Sequence, residues 1–401
     1  MKSYKLENKE YNDALFSKII DVKPNTPYKV TCMVKTEKVE NQNNIYSGGA
    51  QIGIKDTTEC SKSLTGTTDW TKVTFMFNSK NRESVELAFR LGGFEEKSKG
   101  TAWFSDMKIE EGTLDSNNTW KMVCFIVENI NVDINLNGKI TNLKLSMSAE
   151  DIQDMKSNID RIPATIRRLS NNQMNAECEV VTIKEPLTKV SYDDENEYFV
   201  APNDVKELIE KYVERNEYDY IYVAIRLGDL NKSKEILVHD WIGLGGMDYY
   251  GIGFANIRLP DSANNYTYKY DTRVNTFPEE VFIHEFLHTL ERNEKEYGNT
   301  NFAALHDNEE YGYKTENLIG LQNWYESYMQ NTIKNSKGEK VGLTSNIYTS
   351  KPIHESNFKY AYELNNLKEP SNIIEEINII INKIKLLFTK NERKQNESIG
   401  F

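Results

Sequence analysis

The 401-residue chain holds no apolar run approaching the roughly 18 to 20 residues that cross a bilayer, so no membrane span is expected. Its opening residues, MKSYKLENKEYND, lack the apolar core of a secretory signal, which by itself decides nothing about location. An excess of cationic side chains is missing too: 49 Lys and Arg stand against 61 Asp and Glu, a net charge of −12. Phosphate backbones are held by clustered Lys and Arg, so no nucleic-acid partner is expected. Cysteine is scarce. Cys32, Cys60, Cys124 and Cys178 form no CxxC pair and so no metal knuckle readable from spacing. Cys32 and Cys124 fall inside apolar strand patterns and read as small buried hydrophobes. Histidine numbers only five, which gives weight to any two placed at ligand spacing. What remains, 38% hydrophobic and 27% charged, is the composition of a globular protein long enough for two domains and a tail.

Up to about residue 115 the pattern is all-β. Tyr28, Val30, Cys32 and Val34 alternate with Lys29, Thr31, Met33 and Lys35; Val73, Phe75 and Phe77 alternate with Lys72, Thr74 and Met76. Val85, Leu87, Phe89 and Leu91 continue the theme, and SGG, TGTTD and LGG mark turns between runs. Period-two alternation with one apolar face predicts half-buried antiparallel strands, hence a sandwich. The segments VKPNTPYKVTCMVKT, TTDWTKVTFMF and GTAWFSDMKIEEG resemble the jelly-roll carbohydrate-binding modules appended to secreted bacterial enzymes. That resemblance implies a module over residues 1–115 with a glycan ligand and a structural Ca2+. Trp70 and Trp103 are candidate sugar-stacking platforms, although aromatic rings in such strands commonly serve the core.

From Trp120 the pattern changes. KMVCFIVENINVDI reads as a buried strand, and Ile152, Met155 and Ile159 follow at helical spacing behind the capping pair Ser148 and Asp151. Pro163 should end or kink that helix near Ile162. A strand over Cys178–Ile183, a helix over about 204–215 and the strand YDYIYVAIRL come next, so strands alternate with helices as in an α/β domain. Glycine-studded DWIGLGGMDYYGIGFANIRLP is extended, and Gly251–Arg258 is the candidate edge strand to which a substrate could add. This second domain is placed over 116–366. A tail over 367–401 contains an isoleucine-rich helix, Ile373–Phe388, apolar on nearly all sides and expected to pack on the body or a partner.

The segment NTFPEEVFIHEFLHTLERNEKEYG carries the chemistry. Thr276 and Glu279 have capping-box spacing, Pro278 sits in the first turn, and Gly298 is a natural stop. Residues four apart share a helix face, so His284 and His288 can reach one Zn2+. Glu285 points to one side of that face, where it can accept a proton from water that the metal activates. Phe282, Ile283, Phe286, Leu287 and Leu290 supply an apolar surround.

This HExxH string resembles those of the zincin metallopeptidases, which hold one catalytic zinc by three protein ligands. The metzincins continue as HExxHxxGxxH; here Glu291 stands where Gly is expected and Glu294 where His is expected. The downstream text NTNFAALHDNEEYGY nevertheless resembles a metzincin with an insertion, which makes His306 the first candidate for the third ligand. Asp307 is next, Glu309, Glu310 and Glu316 are the gluzincin-type alternatives, and Glu291 and Glu294 read as solvent-facing charge or as partners of a ligand His. Ser327 and Met329 in WYESYMQN resemble the methionine turn of that clan, and Tyr311, Tyr313 or Tyr325 could donate to an oxyanion. His239 reads as a strand-end residue and His354 as exposed. The resemblance implies a secreted or cell-surface endopeptidase acting on proteins or glycoproteins. Three rivals remain open: a glycoprotein-cleaving gluzincin with a Glu ligand, a glycan-binding adhesin whose α/β part is inactive, and a purely structural zinc with no open coordination position.

Overall fold

The computed structural model describes residues 3–42, 48–94, 96–136, 138–195, 197–212, 217–227, 242–249, 251–259, 278–314, 318–354 and 357–364. The alternating text of the first 112 residues forms seven strands: β1 (Ser3–Asn12), β2 (Ala14–Asp21), β3 (Pro27–Asn41), β4 (Gly49–Ile54), β5 (Gly66–Asn78), β6 (Ser84–Gly92) and β7 (Ser98–Gly112). They make two antiparallel sheets, ordered β1-β7-β3-β5 and β2-β6-β4. The apolar positions of both close on one core, in which Val30, Val34, Leu87, Phe89, Leu91 and Phe104 are wholly buried. Burying each large side chain contributes about 1.5–3 kcal/mol against the entropy of ordering the chain. The two tryptophans are not core residues. Trp70 is 41% exposed, and Trp103 lies half-buried with the Lys5 and Lys35 ammonium groups over its ring. Cys32 and Cys124 are buried, and all four cysteines are free.

The remainder supplies β8 (Thr119–Val127), β9 (Asn129–Leu136), β10 (Lys139–Ser146), α1 (Ala149–Ile159), α2 (Ile162–Leu169), β11 (Asn175–Ile183), β12 (Ser191–Asp193), β13 (Glu197–Phe199), α3 (Pro202–Tyr212), β14 (Tyr220–Ile225), β15 (Gly243–Tyr249), β16 (Ile252–Arg258), α4 (Glu280–Glu296), α5 (Leu318–Met329) and β17 (Phe358–Glu363). A five-stranded sheet runs β11-β8-β14-β16-β15; the first four strands are parallel and β15 is antiparallel to β16. Strands β8, β14 and β16 read as near-continuous apolar runs because both faces of the sheet are covered. Helices α1, α2, α4 and α5 contribute to the core on one face; the β9–β10 hairpin and α3 contribute to the core on the other.

Ser148 and Asp151 form the expected capping box, and Pro163 opens α2 after α1 has ended at Ile159. Three expectations are corrected. KMVCFIVENINVDI is two strands, not one: the chain turns at Glu128, leaving β8 in the main sheet and β9 in a separate hairpin. Gly251–Arg258 is not an edge strand, since β16 lies between β14 and β15 with every residue buried; the edge is β15. Residues 358–363, placed by sequence in the second domain, return to the sandwich as β17 beside β7, with Tyr362 opposite Ile109. The helix expected over Ile373–Phe388 lies outside the described residues.

Candidate metal centre

Helix α4 is fixed in rotation before its histidines matter. Phe282, Ile283, Phe286, Leu287 and Leu290 are wholly buried against the sheet and α5. Two tyrosines of β14 reach up to the helix backbone: Tyr222 Oη donates to Phe282 O and Tyr220 Oη to Glu285 O, both at 2.9 Å. At the far end Gly298 takes φ +85°, and Gly298 and Asn299 N–H close on Lys295 and Glu294 carbonyls, so the predicted stop is realised. At the near end the expected capping box rests on a residue outside the described part of the chain. Glu279 is itself the cap residue, and its carboxylate accepts from Arg161 Nε at 3.1 Å and Thr165 Oγ1 at 2.7 Å, bracing α4 on α2; Thr276 lies outside the described residues.

On the face turned from the core, His284 and His288 stand with ring centroids 4.8 Å apart. His306 comes to them on a loop held by α5: Trp324 Nε1 donates to Leu305 O at 2.9 Å and Tyr328 Oη to Ala303 O at 3.0 Å. Asp307 Oδ2 accepts from Ala304 N–H at 2.8 Å and so shapes the turn that aims the imidazole. The His306 centroid lies 5.1 Å from that of His284 and 4.9 Å from that of His288. One nitrogen from each ring falls within 4.8 Å of the others, and among the described residues this is the group of three His, Cys, Asp or Glu that closes on a common point.

A second layer settles which nitrogens face inward. His288 Nδ1 meets Glu291 Oε2 at 3.2 Å; a carboxylate only accepts, so the imidazole donates there and Nε2 carries the lone pair that a metal could use. His284 Nδ1 meets Tyr325 Oη at 2.9 Å, and that hydroxyl in turn donates to Glu280 Oε1. His284 Nε2 then faces His306 Nε2 at 3.1 Å. Two nitrogens each bound at 2.0–2.1 Å to one tetrahedral Zn2+ stand about 3.3 Å apart, so the spacing suits a shared cation. Burial, and then the neighbouring imidazoles, push His284 down to about 3 and hold His306 below its usual range, a shift toward the neutral rings that metal binding requires. Burial opposes the Glu291 charge, but the bond from His288 and the Lys295 ammonium outweigh it and keep the carboxylate ionised.

Glu285 sits beside this set, buried, with burial and then the Glu280 charge raising its pKa to about 8 against a lowering bond from Gly245 N–H. That donor belongs to the edge strand. Between Leu244↔Asn256 and Met247↔Phe254 the register of β15 slips, so Gly245 and Gly246 together oppose one residue of β16. Gly246 adopts φ +72° in this bulge. A Cβ on Gly243 would meet the Glu285 carboxylate, and one on Gly245 would lie 2.6 Å from both Glu285 O and Oε2. The glycines are what let the strand lie against the base.

Of the other candidates, Glu310 is exposed outside the cluster and Glu316 lies outside the described residues, as does His239. Glu294 is not solvent-facing: it is buried and accepts from Thr344 Oγ1 at 2.8 Å and Asn299 Nδ2 at 2.9 Å. His354 is not exposed either, since its Nε2 pairs with the buried Asp219 carboxylate at 2.7 Å. Tyr325 does not offer its hydroxyl to a substrate, because His284 and Glu280 hold it. Tyr313 Oη donates to Ser327 Oγ at 2.7 Å, and Tyr311 stacks on Trp324. Met329 ends α5 inside the core rather than forming a free turn.

No family model and no curated protein matches the chain. Among solved structures, a family two carbohydrate esterase from Clostridium thermocellum in complex with cellohexaose aligns over 74% of this chain and 76% of its own, at 9% identity and a TM-score of 0.13. An acetyl xylan esterase from the rumen bacterium Butyrivibrio proteoclasticus aligns over 86% of this chain and 88% of its own, at 11% identity and a TM-score of 0.14. Likeness at that level carries no argument about fold or activity.

Proposed function

We propose that the chain is a zinc-dependent endopeptidase of zincin type, metzincin-like with His306 brought in on a loop, acting on protein or glycoprotein substrates. The observation that carries this is the convergence of His284, His288 and His306, two of them with Nδ1 tied back, beside a buried Glu285. His284, His288 and His306 would hold the ion through ring nitrogens, and Zn2+ bound there supplies Lewis-acid polarisation of the scissile carbonyl and of the attacking water. Glu285 accepts the proton released as water attacks and passes it to the leaving amine. Gly245 N–H steadies the carboxylate when it is charged. Edge strand β15 lies directly on the base, so a substrate extended along it presents its backbone to the same helix.

No described helix is long and apolar enough to cross a membrane. A glycan role for the sandwich rests on the exposed Trp70 ring, which loss of glycan binding in Trp70→Ala would test. The peptidase reading is tested by Glu285→Ala. Zinc content should match the wild type while hydrolysis of an unfolded protein substrate disappears; a fully active variant would remove Glu285 from the mechanism.

A further inference from the structure

A cavity of about 510 Å3 lies on the other side of β15 from Glu285, bounded by the β15 residues Leu244–Tyr249, the start of α3 and the β4–β6 face of the sandwich. Its size is that of a ligand pocket. Side chains of a strand alternate between faces, and Gly243 and Gly245 face the base. Leu244 therefore turns the opposite way, and the extra residue of the Gly245–Gly246 bulge brings Met247 to the same face, so both line the cavity. Phe199 and Pro202 add apolar wall from the second domain. From the sandwich comes Phe94, a ring left 37% exposed at the cavity rim.

The charges in the lining already have partners. Arg90 is bonded by its guanidinium to Asp13, and Arg292 donates to Gly246 O at 3.1 Å and lies 3.8 Å from Asp248. Asp193 Oδ1 accepts from Glu195 N–H at 3.0 Å, and Arg292 Nε is buried with no hydrogen-bond partner among the described residues; an entering charge would have to displace the existing pairs, whereas an apolar group would not.

Resting on the peptidase reading, we propose that this cavity is a specificity pocket for one bulky apolar side chain of a substrate bound extended along β15. The sandwich is then a wall of the substrate cleft and not only an appended anchor. A strand added to the edge of β15, which no other described strand occupies, sends alternate side chains to opposite faces, one toward α4 and its histidines and the next toward the cavity.

The test uses the full chain as zinc-loaded Glu285→Gln, with fluorescein-labelled extended peptides that carry Gly, Leu, Phe, Asp or Lys at one scanned position. Anisotropy should show, at one position, Leu or Phe binding about 10- to 100-fold tighter than Gly, Asp or Lys. Thr58→Trp, at an exposed residue lining the cavity, should erase that preference and leave the Gly peptide unchanged; Phe94→Ala should weaken it. A flat scan, binding of none of the peptides, or a preference untouched by either variant would overturn the pocket. Cleavage by the zinc-loaded wild type separates the two readings. Cleavage with a flat scan refutes the pocket alone, and the predicted preference without any cleavage refutes the peptidase alone.

Discussion

The glycines of β15 offer a graded perturbation of the base. At Gly245 an added Cβ lies 2.6 Å from Glu285 O and Oε2 and 2.9 Å from Glu285 Cα. Comfortable carbon contacts begin near 3.5 Å, so helix and strand must separate. The helix cannot yield freely, because Tyr220 Oη is bonded to that same carbonyl. Gly245→Ala should cost about 1–3 kcal/mol of stability, the usual penalty of overpacking, and should also displace the carboxylate. Gly243→Ala differs in kind. Its nearest atoms are Oε1, Cγ and Cδ of Glu285, the two carbons at 2.6 and 2.7 Å, all side-chain atoms that can swing aside. Stability should change by less than about 1 kcal/mol, yet peptide hydrolysis should fall on the order of 100-fold, as misplacing a base by about 1 Å does. Gly246→Ala is the control: no atom lies within 4 Å, but φ is +72°, so about 1–2 kcal/mol of strain is expected without contact with Glu285. Thermal unfolding of all three, with hydrolysis at saturating zinc, gives the comparison. Full activity in a stable Gly243→Ala would mean that the position of Glu285 does not govern the chemistry.

Further outcomes follow from the second layer. Glu291→Ala removes the acceptor of His288 Nδ1 and should weaken zinc binding about 10- to 100-fold, read by competition with a chromophoric chelator. Tyr325→Phe breaks the His284–Tyr325–Glu280 chain and should weaken zinc by a similar factor; unchanged affinity would show that the chain orients nothing. Glu285, raised from 4.5 to about 8, binds its proton more tightly folded than unfolded. Metal-free protein should therefore lose stability, on the order of a few kcal/mol, as pH rises from about 4.5 to 8. Denaturation of metal-free Glu285→Gln should lack that part of the slope, and equal slopes would contradict the assignment.

How far the sequence could be read depended on whether a signal was local. The helix of Glu280–Glu296, its buried face and the pairing of His284 with His288 are all set by spacing along one element. The Ser148–Asp151 cap and the break at Pro163 are local in the same sense. His306 is a candidate through the resemblance to a metzincin with an insertion, but what delivers it is non-local: Trp324 and Tyr328 bonding to Leu305 and Ala303. The edge strand was misassigned because GLGGMDY and IGFANIR both read as glycine-bearing extended chain. The fuller apolar content of β16, broken by Asn256 and Arg258, is the available sign of an inner strand. Glu279 and Glu294 were read as a capping residue and a surface charge, yet both carboxylates went to partners far along the chain, Arg161 and Thr344. Nothing in FKYAYE alone announces that it joins a sheet whose other strands lie some 250 residues earlier.

The central claim is a three-histidine metal site, and zinc content per chain by elemental mass spectrometry after desalting tests it most directly. Wild type should carry about one zinc and His306→Ala should lose most of it. One zinc retained in both would contradict the His306 assignment, and none in the wild type after metal loading would contradict the site itself.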